Sequence, residues 1–379
     1  MLILGIETSC DETSVALVED GTRLIASDVA SQVLMHEEFG GVVPELASRA
    51  HIQKLVPMID ACLARNALTL ADVDALAVTL GPGLVGALLV GVETAKTLAF
   101  AARKPLIPVH HIAGHLYSPM VSGPDEAYHH IIINPQGEHQ ERTGSGETNS
   151  LAAAGLQKSA DSRVAFPYLG LVVSGGHSSL VQVHDAENFE ILGETVDDAA
   201  GEAFDKLAKL LELGYPGGPR VEQTARSGNP NAYALPRPMM TAQHGYQFSF
   251  SGLKTAVLKL VNDLGGPAEV RKQPQVLADV CASFQQAVID VLLTKAERAL
   301  EQTGSRTLAI VGGVACNGAL RSAAAQRLGG RVLVAFPPPA LCTDNAAMIA
   351  GLAWHHRHLH TGARLTLNAQ ANLPLGPVA

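Results

Sequence analysis

Aromatic residues are scarce in this sequence, at 4% of the 379 residues with a single tryptophan. Hydrophobic residues nevertheless make up 47%, and there are 36 glycines. This balance excludes a disordered or fibrous chain and favours tightly packed α/β layers. Because the length exceeds what one compact core accommodates, we expect two domains, or two lobes of one bilobal domain.

Cysteine is also rare. The five cysteines include no C-x-x-C pair, and their odd number argues against a disulfide framework. The pattern favours a reducing environment, so we expect a cytoplasmic protein. The cysteines are Cys10, Cys62, Cys281, Cys316 and Cys342.

Positive charge is in deficit. The 27 lysines and arginines are outnumbered by 36 acidic residues, which gives a formal net charge of -9. An acidic chain gains little from the counterion release that drives non-specific nucleic-acid binding. Any RNA substrate would therefore have to bind locally, by shape, or together with partner proteins.

Long uninterrupted apolar runs are absent as well. The first residues, MLILGIETSCDE, lack the basic region of a signal peptide. The longest apolar stretch, residues 75–102, is interrupted by Pro82, Glu93 and Lys96. We therefore expect neither a signal peptide nor a membrane span.

One common nucleotide-binding pattern is missing. The P-loop pattern G-x-x-x-x-G-K-[ST] occurs nowhere in the sequence. This excludes P-loop NTPase chemistry for the chain, while other kinds of nucleotide site stay open.

Two histidines, His111 and His115, lie at helical i, i+4 spacing in the run HHIAGHLYS. On a helix this spacing places both imidazoles on one face, where they can bind a single divalent ion. The run lacks the glutamate of the zinc-protease pattern H-E-x-x-H, since Ile112 follows His111. We interpret the pair as metal ligands without metalloprotease chemistry, although a chance pair on a core helix would show the same spacing.

Two parts of the chain open in the same way. Residues 2–7 and 13–18 read as two strands around a polar turn, and residues 168–173 and 178–183 repeat this layout. The repetition predicts duplicated lobes facing a shared cleft. Such an architecture resembles the actin, Hsp70 and sugar-kinase group, so the predicted fold class is α/β with a nucleotide held between the lobes.

Further elements are predicted from hydrophobic periodicity. We expect a helix over residues 44–65, a buried strand over 75–80 and a helix over 87–102. The Gly-rich turn GPGLVG at 81–86 joins the last two, and its glycines suit either ligand contact or close packing.

Composition divides the chain into four parts. We expect an N-terminal lobe over residues 1–118, a C-terminal lobe over 168–349, and a final helix and tail over 350–379. Between the lobes, residues 119–167 are rich in Gly, Ser, Glu and His, which predicts a flexible, solvated insertion.

Three glycine turns recur in the second half of the chain. They are SGGH from Ser174, YPGGP from Tyr215 and VGGVACN from Val311. Each places adjacent glycines beside a predicted strand end or helix start, where exposed N–H groups can meet a phosphate. Together they predict a nucleotide site.

Acidic residues lie near these turns. Asp197 and Asp198 come before a predicted helix, and we interpret them as complementing its dipole. Asp205 falls within that helix, where its carboxylate can accept hydrogen bonds from a ribose. Asp344 lies in the run LCTDNAAM before the last helix, which suits a third, oxygen ligand for the metal.

Eight motifs, in this order, resemble the universal tRNA threonylcarbamoyladenosine transferase family. The resemblance covers residues 2 to about 354 and leaves residues 120–166 unmatched. The motifs are GIETSCDET from Gly5, HHIAGH from His110, VVSGGHSSL from Val172, GEAFDK from Gly201, YPGGP from Tyr215, FSFSGLKTA from Phe248, GGVACN from Gly312 and CTDNAAM from Cys342.

The resemblance implies an actin-like ATPase (ribonuclease H-like) fold and a specific reaction. Members of this family transfer a threonylcarbamoyl group from threonylcarbamoyl-AMP to N6 of the adenosine 3′ of the anticodon, in tRNAs reading codons that begin with adenine. One divalent metal per subunit is implied, Fe²⁺ first and Zn²⁺ second. The implied partners are tRNA, a smaller non-catalytic paralogue and a P-loop ATPase.

The resemblance also assigns roles by motif. His111, His115 and Asp344 correspond to the metal ligands. Glu222 stands where the family often has aspartate, which puts its ribose contact in doubt. The adenylate contacts correspond to Val172, Val173, Ser174, Gly175, Gly176, Asp205, Gly218 and Asn317.

We assign removal of the amine proton, or positioning of the acceptor, to Asp11 or Glu12 as a hypothesis. An exocyclic adenine amine is a poor nucleophile, so a nearby carboxylate that takes its proton would assist the transfer. Alternatively, these carboxylates cap their turn or bind a partner.

Three other functions fit parts of the pattern. A carbamoyltransferase that uses carbamoyl-AMP on a non-RNA acceptor would share the fold and the histidine motif. A non-catalytic scaffold would keep the fold without needing the full His, His, Asp set. A sugar kinase or chaperone-type ATPase would share the fold without the histidines.

Overall fold

Two β-sheets, each covered by helices, make up the part of the chain that the structure describes. The structure is a computed structural model that describes residues 1–123, 131–133, 139–140, 164–359, 362, 364–376 and 378. The helices are α1 (Val33–Glu37), α2 (Pro44–Arg65), α3 (Val85–Ala102), α4 (His111–Tyr117), α5 (Ala200–Leu210), α6 (Gly217–Ala225), α7 (Ser251–Asp263), α8 (Pro267–Lys272), α9 (Pro274–Thr303), α10 (Gly318–Leu328), α11 (Pro339–Cys342) and α12 (Ala346–His356).

The N-terminal sheet contains β1 (Leu2–Glu7), β2 (Glu12–Glu19), β3 (Arg23–Ser31), β4 (Ala75–Gly81) and β5 (Leu106–His110). Their spatial order is β3-β2-β1-β4-β5. β1 runs antiparallel to β2 and parallel to β4, so Gly5 lies between Ala16 and Ala77. The strands β1 and β4 are nearly continuous apolar runs because helices cover both faces of the sheet.

The C-terminal sheet contains β6 (Ile131–Ile133), β7 (His139–Gln140), β8 (Tyr168–Val173), β9 (Ser178–Val183), β10 (Phe189–Glu194), β11 (Thr307–Val311) and β12 (Leu333–Phe336). Their order is β10-β9-β8-β11-β12-β6-β7. β8 runs antiparallel to β9 and parallel to β11.

Both sheets share one topology. In each, a three-stranded antiparallel meander is followed by two parallel strands, so β3-β2-β1-β4-β5 matches β10-β9-β8-β11-β12. This correspondence confirms the predicted duplicated lobes. The predicted hairpins and the helix over 44–65 are also confirmed, because alternating and helical apolar spacing is a local property of the sequence.

The N-terminal sheet is buried on two sides by different parts of the chain. α2 and α3 pack on one face, where Leu55, Ile59 and Val92 join the core. α4 and α12 lie against the other face. α12 approaches β1 so closely that a Cβ on Gly5 would stand 2.3 Å from the Ala346 carbonyl oxygen. A segment near the end of the chain therefore completes the N-terminal lobe.

α4 lies between the two sheets. Its Ile112 and Leu116 side chains pack with Tyr168, Val172 and Val181 of the C-terminal sheet. The Tyr168 hydroxyl donates to the Leu116 carbonyl at 2.6 Å. The helix that carries the two histidines is thus held by both lobes.

The predicted flexible insertion over residues 119–167 falls largely outside the described residues, which omit 124–130, 134–138 and 141–163. Two short strands of this segment are described, and β6 pairs antiparallel with β12. That part of the segment extends the C-terminal sheet rather than forming a solvated loop.

Asp197 and Asp198 serve a neighbouring helix and two lysines. Asp197 accepts from the backbone N–H of Phe250 at 2.8 Å, next to the start of α7. Asp198 binds Lys206 at 2.8 Å and Lys254 at 3.0 Å. For Asp197 the interpretation that it complements the dipole of the following helix is wrong, because its carboxylate binds N–H groups at the start of α7 instead of α5, which begins at Ala200.

Two helices among the described residues, α3 and α9, are long and apolar enough to cross a membrane by length and composition alone. The apolar window of α9 is 72% buried within the protein. Core helices pass the same criterion, so this is weak evidence for a membrane span.

Candidate functional site

α4 presents His111 and His115 on one face, with their ring centroids 4.7 Å apart. The helix begins at His111 directly after β5 ends at His110. The bare Nδ1 of the His110 ring accepts from the backbone N–H of Ile112 at 3.1 Å and of Ala113 at 3.4 Å, which caps the helix. Burial lowers the pKa of His110 to about 4, so its ring is neutral.

Asp344 reaches the same place from the other end of the chain. It stands just before Asn345, whose side chain caps α12 by accepting from the Met348 N–H at 3.0 Å. The next N–H, that of Ala346, donates to the Ser14 hydroxyl of β2 at 2.9 Å. These bonds fix the loop, so Asp344 points at α4.

The three predicted metal ligands form one cluster. Their donor atoms all lie within 4.8 Å of one another, and Asp344 Oδ1 is 3.0 Å from His115 Nε2 and 3.5 Å from His111 Nε2. The Nδ1 atom of His115 is buried without a hydrogen-bond partner among the described residues. Two imidazoles and one carboxylate are ligands that divalent transition metals prefer. The unpartnered Nδ1 of His115 shows that the hydrogen bonds described here do not satisfy this buried ring.

Two further side chains orient His111. Its Nδ1 lies 3.1 Å from Glu7 Oε2 and 3.2 Å from the Ser9 hydroxyl. Ser9 also lies 3.5 Å from Asp344 Oδ2. A carboxylate that accepts from one ring nitrogen leaves the other nitrogen as the metal donor and raises its basicity. Sequence reasoning did not single out Glu7, although an acidic residue ending the apolar strand LILGIE was a usable signal.

The cluster is strongly charged in the metal-free protein. Burial opposes a charge on His111, but the carboxylates of Asp344 and Glu7 outweigh it and raise the pKa of His111 to about 9. Burial likewise opposes a charge on Asp344, yet the facing His111 and His115 hold its pKa well below the usual range. His111 and Asp344 therefore form a pair of an imidazolium and a carboxylate.

The turn after β8 adjoins this cluster. Burial, followed by the positive charges of His111 and His115, lowers the pKa of His177 to about 4. His177 closes the predicted SGGH turn, where its backbone carbonyl accepts from the Ser174 N–H at 2.8 Å. The turn of the C-terminal lobe therefore lies within electrostatic range of the three predicted metal ligands.

The polar turn between β1 and β2 lies beside the cluster, which it contacts through Ser9. Asp11 is buried and Glu12 is half-buried. Burial, together with Asp344 and Asp11, raises the pKa of Glu12 to about 10. Behind the turn, buried His51 donates from Nε2 to the Cys10 carbonyl at 2.9 Å. Its Nδ1 accepts from the Thr13 hydroxyl at 2.8 Å.

The glycines of the predicted nucleotide turns fall into two groups. A Cβ on Gly175, Gly176 or Gly218 would meet no atom within 4 Å. These are the glycines to which the resemblance assigns adenylate contacts.

The second group is packed against backbone. A Cβ on Gly201 would stand 2.6 Å from the Ser174 carbonyl oxygen, and one on Gly312 would stand 2.5 Å from that of Val173. One on Gly217 would lie 2.5 Å from the Asp205 Cα. The packed glycines thus allow close contact between backbone segments, while Gly175, Gly176 and Gly218 have open space beside them.

Other predicted adenylate residues are engaged within the protein. Val172 and Val173 are fully buried, so only their backbone can face a ligand. Asp205 accepts from the Gly217 N–H at 2.7 Å, and burial raises the pKa of Asp205. Asn317 caps α10 by accepting from the Leu320 N–H at 2.9 Å. Its Nδ2 donates to Gln285 at 2.8 Å.

Glu222 reaches the start of α10. Its Oε1 accepts from the Gly318 N–H at 3.0 Å. One carboxylate oxygen is therefore committed to the helix N-terminus, which leaves the second oxygen for any other contact.

The GPGLVG turn is a packing device. Its glycines have the spacing G-x-G-x-x-G of dinucleotide-binding turns. However, a Cβ on Gly81 would stand 2.0 Å from the Gln370 carbonyl oxygen, and one on Gly83 would stand 2.6 Å from that of Ser9. Of the two interpretations open from sequence, close packing is the one observed.

Comparison with known proteins decides the family. The model for tRNA N6-adenosine threonylcarbamoyltransferase matches residues 23–134 and 147–351. The chain belongs to this threonylcarbamoyltransferase family. The relative from Chromobacterium violaceum is 47% identical over 353 residues, covering 92% of this chain and 91% of that protein. The relative from Thermomicrobium roseum is 43% identical, covering 99% and 97%. Both carry the family name.

Solved structures support the actin-like ATPase fold predicted for this threonylcarbamoyltransferase. The structure of T. kodakarensis HypF has a TM-score of 0.55 at 14% identity, covering 94% of this chain and 47% of HypF. Full-length HypF in the phosphate- and nucleotide-bound form has a TM-score of 0.53 at 13% identity. These similarities show the fold alone. The family match confirms the transferase prediction and disfavours the carbamoyltransferase, scaffold and kinase alternatives.

Proposed function

We propose that this chain transfers threonylcarbamoyl from threonylcarbamoyl-AMP to N6 of the adenosine 3′ of the anticodon, in tRNAs reading codons that begin with adenine. The observation that carries the proposal is the cluster of His111, His115 and Asp344, which lies within electrostatic range of the turn ending at His177. A candidate metal site near a turn suited to phosphate is what an acyl-adenylate donor requires.

We propose Fe²⁺ as the bound ion, with Zn²⁺ as the alternative. Two imidazoles and one carboxylate form the donor set of non-haem Fe(II) sites, and Zn²⁺ uses the same set. When bound, the ion supplies positive charge that stabilises the phosphate leaving as AMP. Metal analysis of protein purified with and without oxygen distinguishes the two ions.

The adenylate contacts remain assignments by motif. The N–H groups of Gly175 and Gly176 and the backbone of Val172, Val173 and Ser174 would face the phosphate side. The carboxylate of Asp205 would accept from the ribose. The remaining assigned contacts are Gly218, Glu222 and Asn317.

The reaction needs one proton acceptor. The amine N6 attacks the carbamoyl carbon, the bond from that carbon to the phosphate oxygen breaks, and the amine loses one proton as AMP departs. The raised pKa of Glu12 keeps that carboxyl protonated at neutral pH, so we assign acceptance of the proton to Asp11 and placement of the acceptor base to Glu12.

Partner proteins would share tRNA binding. The net charge of -9 disfavours tight RNA binding by the chain alone. α2 and α3 also expose Ile52, Val56, Val85 and Leu89, with 65%, 46%, 52% and 42% of their surfaces accessible. These apolar faces suit the smaller paralogue, with the P-loop ATPase as a third component. The experiment is tRNA binding by the chain alone and after both proteins are added.

We further propose a cytoplasmic location, in keeping with five free cysteines. We also propose that the N-terminal lobe ends at residue 118 and that the C-terminal lobe runs from residue 168 to residue 349.

The deciding experiment supplies the chain and its two partners with threonylcarbamoyl-AMP and unmodified tRNA. Digestion of the RNA to nucleosides, followed by mass spectrometry, should reveal threonylcarbamoyladenosine. Carbamoyl-AMP offered with the same tRNA tests the alternative donor. Asp11→Asn and Glu12→Gln should slow turnover while threonylcarbamoyl-AMP still binds, and Glu19→Gln on the same strand serves as the control. Unchanged rates in both variants would remove these carboxylates from the chemistry.

A further inference from the structure

The segment formed by residues 364–376, named here the tail segment, crosses the N-terminal lobe close to the metal ligands. It contains no helix or strand among its residues. Leu367 is nevertheless buried in the core under α2 and α3. Its carbonyl accepts from Lys96 of α3 at 3.1 Å. A segment without regular structure is thus anchored over several residues.

The tail segment holds the GPGLVG turn in place. The Gln370 N–H donates to the Leu80 carbonyl at 2.9 Å, and the Gly83 N–H donates to the Ala371 carbonyl at 3.2 Å. A side chain at Gly81 would collide with the Gln370 carbonyl, so the glycine permits this close approach.

That turn in turn supports Ser9. The Leu84 N–H donates to the Ser9 carbonyl at 2.8 Å. The Ser9 hydroxyl then lies 3.2 Å from His111 Nδ1 and 3.5 Å from Asp344 Oδ2. Tail segment, turn, Ser9 and ligands therefore form one continuous series of contacts.

A second series runs through His110. Its Nε2 lies 2.9 Å from the Leu373 carbonyl of the tail segment. Because a carbonyl can only accept, Nε2 carries the proton and Nδ1 is left bare. The bare Nδ1 is the atom that caps α4 at Ile112 and Ala113. The contact with the tail segment thus selects the tautomer that orients the helix beginning at His111.

We propose that the tail segment positions the metal ligands, with His110 as a positioning residue between them. The tail segment itself touches none of the three ligands in the contacts described, so its effect passes through the turn and through the cap of α4. The inference rests on the metal binding proposed above but not on the transfer reaction.

The test measures Zn²⁺ affinity by competition with a coloured chelator. His110→Asn keeps a side-chain oxygen that can cap α4 but loses the Nε2–H bonded to Leu373. A chain ending at Gly362 removes the tail segment. Loss of the groups that hold metal ligands in place weakens metal binding by roughly 10–100-fold, and we expect about tenfold lower Zn²⁺ affinity for each variant. His110→Asn should add nothing in the shortened chain, because removal of the tail segment already breaks the series of contacts that runs through His110.

The matched control is Lys96→Met, which removes a hydrogen bond to the tail segment that belongs to neither series. Its Zn²⁺ affinity should equal that of the wild type. If the shortened chain does not fold, His110→Asn against Lys96→Met decides the question. Wild-type affinity in a folded His110→Asn protein would overturn the proposal. Failure of the wild type to bind Zn²⁺ would instead remove the metal centre itself, and the positioning role with it.

Discussion

His115 and Asp344 lie 229 residues apart in the chain, yet their side chains meet at 3.0 Å. The contact depends on α12, which leaves the C-terminal lobe and packs against β1. Asp344 precedes this helix, so the same packing that completes the N-terminal lobe delivers the third ligand. The candidate metal site is consequently a product of the bilobal fold as well as of a local motif.

Glu7→Gln should weaken metal binding without unfolding the protein. The amide is similar in size to the carboxylate, but only one of its two terminal atoms can accept hydrogen bonds. In the wild type both Glu7 oxygens accept, from His111, Ser9 and Thr79. We expect roughly 10–100-fold lower affinity for Zn²⁺, measured by chelator competition. Glu19→Gln, on the exposed end of β2, is the control. Equal affinities in the two variants would show that Glu7 does not support the site.

The metal-free protein should lose stability as the pH rises. The folded-state pKa of His111 is raised to about 9 and that of Glu12 to about 10. The unfolded values are about 6.5 and about 4.3. The folded protein thus holds more protons, and its stabilisation by them is complete below the unfolded values and lost as pH passes the folded ones.

The measurement is the free energy of unfolding in urea between about pH 7 and pH 9 with a chelator present, above the range in which the neutral buried rings of His110 and His177 take up protons on unfolding. It should fall with pH, and Glu12→Gln should make the fall shallower. A free energy that rises over this range would contradict the charges assigned to the cluster.

His51→Ala should destabilise the protein by about 2–4 kcal/mol, because it leaves a cavity and unpaired polar groups at Cys10 and Thr13. Thr13→Val removes only the hydroxyl and should cost about 1–2 kcal/mol. Denaturant unfolding gives both values. His184→Ala, at an exposed site, should change stability by less than about 0.5 kcal/mol. A His51→Ala protein as stable as that control would argue against a structural role for the buried ring.

Gly217→Ala and Gly218→Ala should separate packing from ligand binding. A methyl group at Gly217 would collide with the Asp205 backbone, so this variant should unfold at a lower temperature. One at Gly218 meets open space, so stability should be unchanged. If the assigned adenylate contact is correct, Gly218→Ala should bind threonylcarbamoyl-AMP more weakly in calorimetry. A Gly218→Ala protein that binds threonylcarbamoyl-AMP with wild-type affinity would contradict the assigned contact.

Local patterns in the sequence were sufficient for much of the fold. Alternating apolar residues predicted the β1–β2 and β8–β9 hairpins, and periodic Leu and Ile predicted α2. The helix bearing His111 and His115 followed from their spacing. These properties depend on neighbours in the chain, which a sequence displays directly.

Other relationships depend on distant parts of the chain. Nothing near Glu7 indicates that it faces His111, and nothing near His51 indicates that it faces the Cys10 carbonyl. The packing of α12 against β1 and the contact of the tail segment with His110 are likewise tertiary contacts. Asp197 was misread for the same reason, since its partner at Phe250 lies 53 residues away.

The central claim is that His111, His115 and Asp344 together hold one divalent ion. The most direct measurement is the metal content per chain after reconstitution with Fe²⁺ or Zn²⁺ and removal of free ion. The wild type should retain one ion per chain, and His111→Ala, His115→Ala and Asp344→Ala should each retain essentially none while remaining folded by circular dichroism. Folded variants that keep a full ion per chain would contradict the account.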